Sequence, residues 1–207
     1  MTDNLPELKI TVFSDYICPF CYVGHHRLMR LNDSYDLKIN WCFIEIHPET
    51  SAESEPTTSL DYPSEQWNQL MQGLKKVAAE EDIPIAEHTF TTNSKDAIQL
   101  SETCKSLGRE TFYKLHESLF SAFFVDEKNI GDREILKTLA NDCGIDDETI
   151  NAAWDNEQSK KTILTNFDQA RTFKIQSVPS FVFGERVLTG VVAEATMRSA
   201  AAELLNQ

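Results

Sequence analysis

The spacing of hydrophobic residues changes along the chain from a strand-like pattern to a helical one and back. Residues 8–14 are rich in β-branched and aromatic side chains, which favours a strand. From Pro19 the apolar residues recur at helical spacing until the polar residues 32–34, where we expect the helix to end. Residues 37–44 alternate and then become continuously apolar, which is typical of a strand that enters a buried sheet. The N-terminal part therefore predicts a strand–helix–strand unit with parallel strands.

The middle of the chain predicts only helices. Residues 49–63 are rich in Ser, Thr, Glu and Pro and predict a surface connection. Ser64, Ser94, Asp132 and Asp146 stand where helix-capping side chains are favoured. After the connection we expect helices at residues 64–81, 94–107, 110–125, 132–143, 147–156 and 160–173.

The strand pattern returns near the C-terminus. Residues 180–183 and 186–189 flank a tight turn at Gly184 and Glu185, and they predict a hairpin. Residues 193–205 carry apolar side chains at helical spacing and predict a closing amphipathic helix.

Together these segments predict an α/β fold in which a helical insertion separates a βαβ half from a ββα half. We place one domain at residues 1–50 and 174–207, and the helical domain at residues 60–173. The length of 207 residues suits one domain with a sizeable insertion. A hydrophobic content of 41%, with seven Gly and seven Pro, excludes a disordered or collagen-like chain.

The charge balance excludes two classes of partner. The formal net charge of −14 at pH 7 repels nucleic acids and anionic lipid surfaces, so we expect neither as a partner. The first seven residues are polar and acidic and lack the pattern of an export signal. We therefore expect a cytoplasmic protein whose five cysteines are mostly reduced thiols. The sequence leaves the oligomeric state open.

Two cysteines stand three residues apart where the first predicted strand gives way to the first helix. Cys18 is expected at the N-cap, where its sulfur faces backbone N–H groups that the helix leaves unpaired. A helix N-terminus stabilises a nearby anion by about 0.3–2 kcal/mol, so this position favours the thiolate of Cys18. Pro19 fits the first helical position because no N–H is needed there.

Cys21 follows one helical turn later, near enough to attack a mixed disulfide formed at Cys18 and to close an internal disulfide. A single CxxC motif suits either redox chemistry or half of a zinc site. Zinc needs four ligands, and the sequence contains no second CxxC, CxxH or HxxxH. We therefore expect a redox-active pair with no metal and no separate cofactor. A redox-inert binding module is the alternative.

A second candidate element stands immediately before the strand predicted at residues 180–183. An X–Pro bond prefers the trans form by only about 0.5–1 kcal/mol, so a cis bond is accessible between Val178 and Pro179. A cis proline here would offer the backbone of Val178 to an extended substrate beside the Cys18 sulfur. An ordinary turn proline is the alternative.

Three segments carry a family resemblance: residues 14–24 (SDYICPFCYVG), residues 178–183 (VPSFVF) and residues 188–191 (LTGV). In these segments, and in their order over nearly the whole chain, the sequence resembles the thioredoxin fold and, within it, the DsbA-like branch with a helical insertion. The subgroup that it most resembles is that of the FrnE-like cytoplasmic dithiol–disulfide oxidoreductases and isomerases. These are relatives of 2-hydroxychromene-2-carboxylate isomerases and kappa-class glutathione transferases.

The resemblance implies roles for particular residues. Cys18 is then the attacking thiol, Cys21 the resolving thiol, and Pro179 a cis proline that faces them. We expect Val178, Pro179 and Phe20 to contact the substrate. The implied activity is dithiol–disulfide exchange with a thiol or disulfide substrate, either an extended peptide or glutathione as co-substrate.

The sequence departs from the family pattern at two positions. Many thioredoxin-fold enzymes carry a buried carboxylate six residues before the first cysteine, where this chain has Val12. Asp15 is a candidate substitute for proton transfer from Cys21, although a turn carboxylate can also be solvated or cap the helix. Phe20 stands where the periplasmic oxidant has a histidine. Because Phe20 cannot donate a hydrogen bond to sulfur, we expect a less oxidising couple.

A glutathione-dependent isomerase or transferase on the same scaffold is the second enzyme hypothesis, although such relatives commonly have serine in place of the first cysteine. The other cysteines, Cys42, Cys104 and Cys143, are expected to be buried and to behave as small hydrophobes. His25 and His26 are expected on an exposed part of the helix.

Overall fold

The structure is a computed structural model that describes residues 5–60, 62–87 and 89–206. Its strands are β1 (Glu7–Ser14), β2 (Asp36–Phe43), β3 (Glu55–Pro56), β4 (Phe90–Thr91), β5 (Ser180–Phe183) and β6 (Arg186–Thr189). A four-stranded sheet has the order β2–β1–β5–β6. Strand β1 pairs in parallel with β2 and antiparallel with β5, and β5 pairs antiparallel with β6.

The helices lie close to the positions that the sequence predicts. Short 3₁₀ turns follow the first and third helices. The helices are α1 (Pro19–Met29), α2 (Ser64–Glu80), α3 (Lys95–Cys104), α4 (Arg109–Phe124), α5 (Arg133–Asp142), α6 (Asp147–Ala153), α7 (Glu157–Thr172) and α8 (Glu194–Leu205). Each helix in the described ranges is too short or too polar to cross a membrane.

The chain divides into two compact units. The first comprises Met1–Ile44 and Asn166–Gln207, and the second comprises Glu45–Thr165. The first unit contains the four-stranded sheet with α1 and α8, and the second contains α2 to α6 and the short pairing of β3 with β4. The order βαβ, helical insertion, ββα is the α/β arrangement that the sequence predicts. The domain limits proposed from the sequence stay a prediction.

The central strand β1 carries the core of the first unit. Leu8, Ile10 and Val12 alternate with more exposed residues and are buried, as expected for side chains on one face of a sheet. Towards its end the strand is buried on both faces. Phe13 packs there with Cys42, Ala170 and Val182 in one apolar cluster. The end of β1, where the motif begins, is therefore held on both sides.

In the second unit, α3 and α5 both pack against α4. The helices begin with the caps that the sequence predicts in two of four cases, and Pro63 rather than Ser64 stands at the N-cap of α2. The carboxylates of Asp132 and Asp146 accept the amide N–H groups of Glu134 and Thr149, each at 2.8 Å. Ser94 also stands at an N-cap, but its buried hydroxyl has no hydrogen-bond partner among the described residues.

Candidate active site

The turn between β1 and α1 places Cys18 at the N-cap of α1. Its backbone is extended, with φ −88° and ψ 112°, while its carbonyl accepts the amide of Tyr22 at 3.2 Å. The Cys18 sulfur accepts the amide N–H of Cys21 at 3.4 Å. Pro19 occupies the first turn, where it removes no needed donor. The local sequence therefore directs a backbone N–H group, that of Cys21, at this sulfur.

The same sulfur meets the segment that precedes β5. The Sγ of Cys18 donates a weak hydrogen bond to the carbonyl oxygen of Val178 at 3.8 Å, across 160 positions of sequence. The peptide bond between Val178 and Pro179 is cis. Pro179 is buried, and its carbonyl accepts the amide of Gly190 at 2.8 Å. The structure thus brings together Cys18, Val178 and Pro179, which the sequence proposed as one site.

Gly24 allows α1 to approach this segment closely. A Cβ atom at Gly24 would lie 2.9 Å from Cζ of Phe181 and 3.3 Å from Cγ of Pro179. The first distance is shorter than real side-chain contacts allow. No role for this glycine was predicted from the sequence. Its place in the quoted motif, six residues after Cys18, was the available signal.

Cys21 is buried, as is Cys18. Burial raises the pKa of the Cys21 thiol well above its usual value, and the neighbouring Cys18 raises it further. Hydrogen bonds with the backbone of Asp15 and the side chain of Ser14 act in the opposite direction but are weaker. Ser14 is a site residue that the sequence analysis missed. Both cysteines are free thiols in this structure.

Asp15 is completely buried, which excludes the solvated alternative for its carboxylate. Its Oδ1 accepts the amide N–H of Ile17 at 3.3 Å, which shapes the turn before the motif. Val12 lies in the core between Trp41 and Phe181, so the position six residues before Cys18 is apolar. Asp15 is thus a buried carboxylate in the residues that lead to Cys18. Its part in proton transfer stays a prediction.

Phe20 is half-buried beside the two cysteines, and its contact with substrate stays a prediction. The expectation that His25 is exposed is wrong, because only 5% of it is accessible. Its ring centre lies 5.8 Å from that of Trp41. Burial, with a smaller contribution from His26, lowers the pKa of His25 to about 3. His25 is therefore neutral in the folded protein at neutral pH.

The remaining cysteines lie apart from this motif in the sequence. Cys42 and Cys104 are buried, as predicted, whereas Cys143 is half-exposed. The Cys42 thiol donates to Oε1 of Gln169 at 3.2 Å, and burial raises the pKa of Cys104 to about 12. Over the parts of the chain that the structure describes, no three His, Cys, Asp or Glu side chains are grouped so as to hold a metal ion.

Known proteins resemble this chain in sequence and in fold. A family model described as a DSBA-like thioredoxin domain matches residues 9–202. The protein YwbO from Bacillus subtilis (strain 168) is 27% identical over 198 residues, which cover 90% of this chain and 92% of YwbO.

Two solved structures have a similar fold. The probable DsbA oxidoreductase SCO1869 from Streptomyces coelicolor has a TM-score of 0.84 at 20% identity, with 97% of this chain and 91% of that chain covered. The cytosolic disulfide reductase DsbM from Pseudomonas aeruginosa, solved with GSH, has a TM-score of 0.70 at 13% identity, with 97% and 98% covered. At these identities the likeness establishes the fold alone.

Proposed function

The chain belongs to the DSBA-like thioredoxin domain family, and from this premise we propose that it is a thiol–disulfide oxidoreductase that uses Cys18 and Cys21. Members of this family act on thiol or disulfide substrates. Cys18 is the proposed nucleophile and Cys21 the proposed resolving thiol.

The observation that carries the proposal is the position of the Cys18 sulfur at the N-cap of α1. It accepts the Cys21 amide at 3.4 Å. Backbone donors and a helix N-terminus favour an anionic sulfur, and the thiolate is the nucleophile of disulfide exchange. The thiolate form of Cys18 is itself a prediction.

The proposed exchange has two steps. The Cys18 thiolate attacks one sulfur of a substrate disulfide, which breaks the substrate S–S bond, forms a mixed disulfide and releases one substrate thiolate. Cys21 then loses its proton and attacks the Cys18 sulfur, which releases the second substrate thiolate and forms the Cys18–Cys21 disulfide. Two electrons pass from the protein dithiol to the substrate. The reverse sequence oxidises a substrate dithiol.

We assign alignment of the substrate to Val178, Pro179 and Phe20. The support is that the Val178 carbonyl lies 3.8 Å from the Cys18 sulfur and that Phe20 is half-buried next to the motif. An extended peptide can add its backbone to such a segment by hydrogen bonds. We also assign to Asp15 the acceptance of the Cys21 proton, because its carboxylate is buried and its backbone contacts Cys21.

Serine variants test the function. We expect Cys18→Ser to abolish the acceleration by this protein of insulin reduction by dithiothreitol. We expect Cys21→Ser to accumulate mixed disulfides, which a gel without reductant resolves. Cys143→Ser is the matched control, because Cys143 is half-exposed and lies far from the motif in the sequence. This control should keep full activity. Unchanged turnover in Cys18→Ser would end the proposal.

Glutathione is a proposed small substrate, because the similar DsbM structure was solved with it. The glutathione-dependent isomerase or transferase is the competing proposal. Exchange predicts that oxidised glutathione converts Cys18 and Cys21 to a disulfide. A transferase instead predicts conjugation of glutathione to an electrophile such as chlorodinitrobenzene, with activity that survives Cys21→Ser.

We further propose a cytoplasmic location and FrnE-like subgroup membership. The support is the cytosolic assignment of DsbM together with the sequence resemblance. Fractionation of cells that express the tagged chain tests the location. Recovery with an exported marker protein would contradict it.

A further inference from the structure

The acidic excess of the chain is concentrated in one unit. Residues 45–165 contain 24 acidic and 11 basic side chains, a net charge of −13, whereas the rest of the chain contains 9 and 8, a net charge of −1. Within that unit, residues 45–74 contain six acidic residues and no lysine or arginine. The Asp, Glu, Lys and Arg side chains in the first thirty residues of the second unit therefore all carry negative charge.

The same segment exposes large apolar side chains. Tyr62 is 46% exposed and Leu70 is 55% exposed. The ring of Tyr62 stacks on that of Trp67, with centres 5.1 Å apart and planes at 11°. Trp67, Leu70 and the buried Leu74 lie at helical spacing on α2, so an apolar stripe runs from the core to the surface. We refer to Tyr62, Trp67 and Leu70 as the aromatic surface.

Hydrogen bonds hold Tyr62 in place. Nδ1 of His47 lies 3.1 Å from Oε1 of Glu49, and Nε2 lies 3.2 Å from the Tyr62 hydroxyl oxygen. A carboxylate only accepts, so Nδ1 carries a proton that it donates to Glu49, and Nε2 shares a hydrogen bond with the Tyr62 hydroxyl. The His47 ring also packs edge-on against Tyr62, at 85°. Tyr62 is thus ordered before any partner binds, which lowers the entropy cost of binding.

The exposed carboxylates of residues 45–74 include those of Glu49 and Glu65. The Glu49 side chain is 71% exposed although it contacts His47. A hydrogen bond with its own backbone, and the bond with His47, lower the pKa of Glu49, so it is anionic at neutral pH. Glu65, in the first turn of α2, is exposed as well. Aromatic faces and carboxylates both attract cations.

We propose that the aromatic surface docks a cationic polypeptide segment, in which arginine or lysine side chains alternate with apolar ones. Charge complementarity selects this partner: nucleic acid and a second copy of this chain are both anionic and would be repelled. The exposed apolar side chains favour a polypeptide over a small polycation. The inference concerns binding alone and does not depend on exchange chemistry at Cys18 and Cys21.

The test uses a fluorescently labelled, cysteine-free peptide that alternates arginine and leucine, and its counterpart with citrulline in place of arginine. Citrulline has the shape of arginine without the charge, so the pair isolates the charge. Fluorescence anisotropy is measured with the full chain at an ionic strength of about 0.01 M. The arginine peptide should bind at least about tenfold more tightly than the citrulline peptide. Equal binding of the two peptides, or equal competition by spermidine at matched charge, would overturn the proposal.

Variants of the chain locate the site. We expect Trp67→Ala and Leu70→Ala to weaken binding of the arginine peptide by about fivefold or more each, and Trp67→Phe to retain most of it. Leu164→Ala is the matched apolar control, because Leu164 is 67% exposed in the same unit. Thermal unfolding checks that each variant is folded, and Leu70 is exposed enough that its variant should fold.

A charge control separates this site from general attraction to an acidic unit. Glu49→Gln should weaken binding more than Glu117→Gln, which removes the same charge from an exposed position on α4. Equal losses in these two variants, or unchanged affinity in both Trp67→Ala and Leu70→Ala, would show that the aromatic surface is not the docking site.

Discussion

Cys18 and Cys21 share one helical turn but differ in what surrounds their sulfur atoms. Both are buried, but the Cys18 sulfur accepts the amide N–H of Cys21 at the N-cap, whereas burial raises the pKa of the Cys21 thiol. A nucleophile must be ionised and a resolving thiol must not react before the mixed disulfide forms. The difference in surroundings therefore suits the proposed division of roles between two chemically identical side chains.

The raised pKa of Cys21 predicts how the second step depends on pH. Below its pKa, the thiolate fraction of Cys21 rises tenfold per pH unit, so the resolving rate should rise by about the same factor between neutral and mildly alkaline pH. Stopped-flow release of thionitrobenzoate from the Ellman disulfide measures this rate as the second phase, in a Cys143→Ser background.

Two variants complete this experiment. Cys21→Ser should lose the second phase and keep the first. Asp15→Asn should slow the second phase alone if Asp15 accepts the proton, because asparagine still accepts the Ile17 amide. A second phase that is flat over this pH range would contradict the proposed role of Cys21.

His25 predicts an acid-sensitive contribution to stability. Its pKa is lowered from 6.5 to about 3 on folding, so its neutral form stabilises the fold fully above pH 6.5, and this contribution is lost as pH falls towards 3. His25→Gln removes the titration. The free energy of unfolding of this variant should fall less steeply between these pH values, by about 1.4 kcal/mol per pH unit.

Urea denaturation at several pH values measures this difference in slope. His26→Gln is the control, because His26 is only half-buried and its pKa is lowered less severely by burial and by Arg30. His26→Gln should change the pH dependence of the free energy of unfolding less than His25→Gln does. Parallel curves for the wild type and His25→Gln would show that His25 does not titrate as proposed.

The site was readable from sequence where neighbours in the chain determine it. Cys18, Cys21 and Pro19 follow from one strand–helix junction. The burial of His25 was missed, although it stands four residues after Cys21 and three before Leu28, both buried on the same helical face. The contact of Ser14 with Cys21 had no comparable signal, because it depends on how the end of β1 packs beneath the helix.

Helix α1 approaches β5 closely because residue 24 is a glycine and has no side chain. Alanine at Gly24 gains about 1 kcal/mol of helix propensity. It must also displace Phe181, a buried ring 2.9 Å from the new Cβ, and such overpacking costs typically about 1–3 kcal/mol. We therefore expect Gly24→Ala to destabilise the protein and to slow the reaction of Cys18.

Gly73→Ala is the matched control for this change. Gly73 lies inside α2 with nothing within 4 Å of the added Cβ, so alanine there should stabilise by up to about 1 kcal/mol. Urea midpoints measure both variants. Stabilisation by Gly24→Ala would show that α1 can move away from β5 without cost.

Two long helices and the C-terminal hairpin of β5 and β6 were predicted closely. The limits of α2 and α4 agree with the sequence within a residue or two, because fifteen or more residues repeat one pattern. The pairing of β3 with β4 was missed, since two residues on each side carry no period. Helix α7 begins three residues before its predicted start, where Asn156 accepts the amides of Gln158 and Ser159.

The net charge of the protein follows directly from its composition. The total of −14 is read from composition, but its division into −13 and −1 appears only once the two units are known. A protein with this charge attracts cationic reactants and repels anionic ones over a distance set by the ionic strength. The rate of exchange with small disulfides should therefore depend on the charge of the disulfide.

This effect predicts opposite salt dependences for two reagents. Cystamine is a dication and oxidised glutathione is an anion at neutral pH, so added salt should slow the reaction of Cys18 with cystamine and accelerate the reaction with oxidised glutathione. Between about 0.01 M and 1 M salt the Debye length falls from about 30 Å to about 3 Å, which removes most of the attraction and repulsion. Hydroxyethyl disulfide, which is uncharged, is the control and should show a flat rate. Because Cys18 chemistry is common to the three reagents, equal salt slopes for cystamine and oxidised glutathione would mean that the acidic excess does not act at the reacting sulfur.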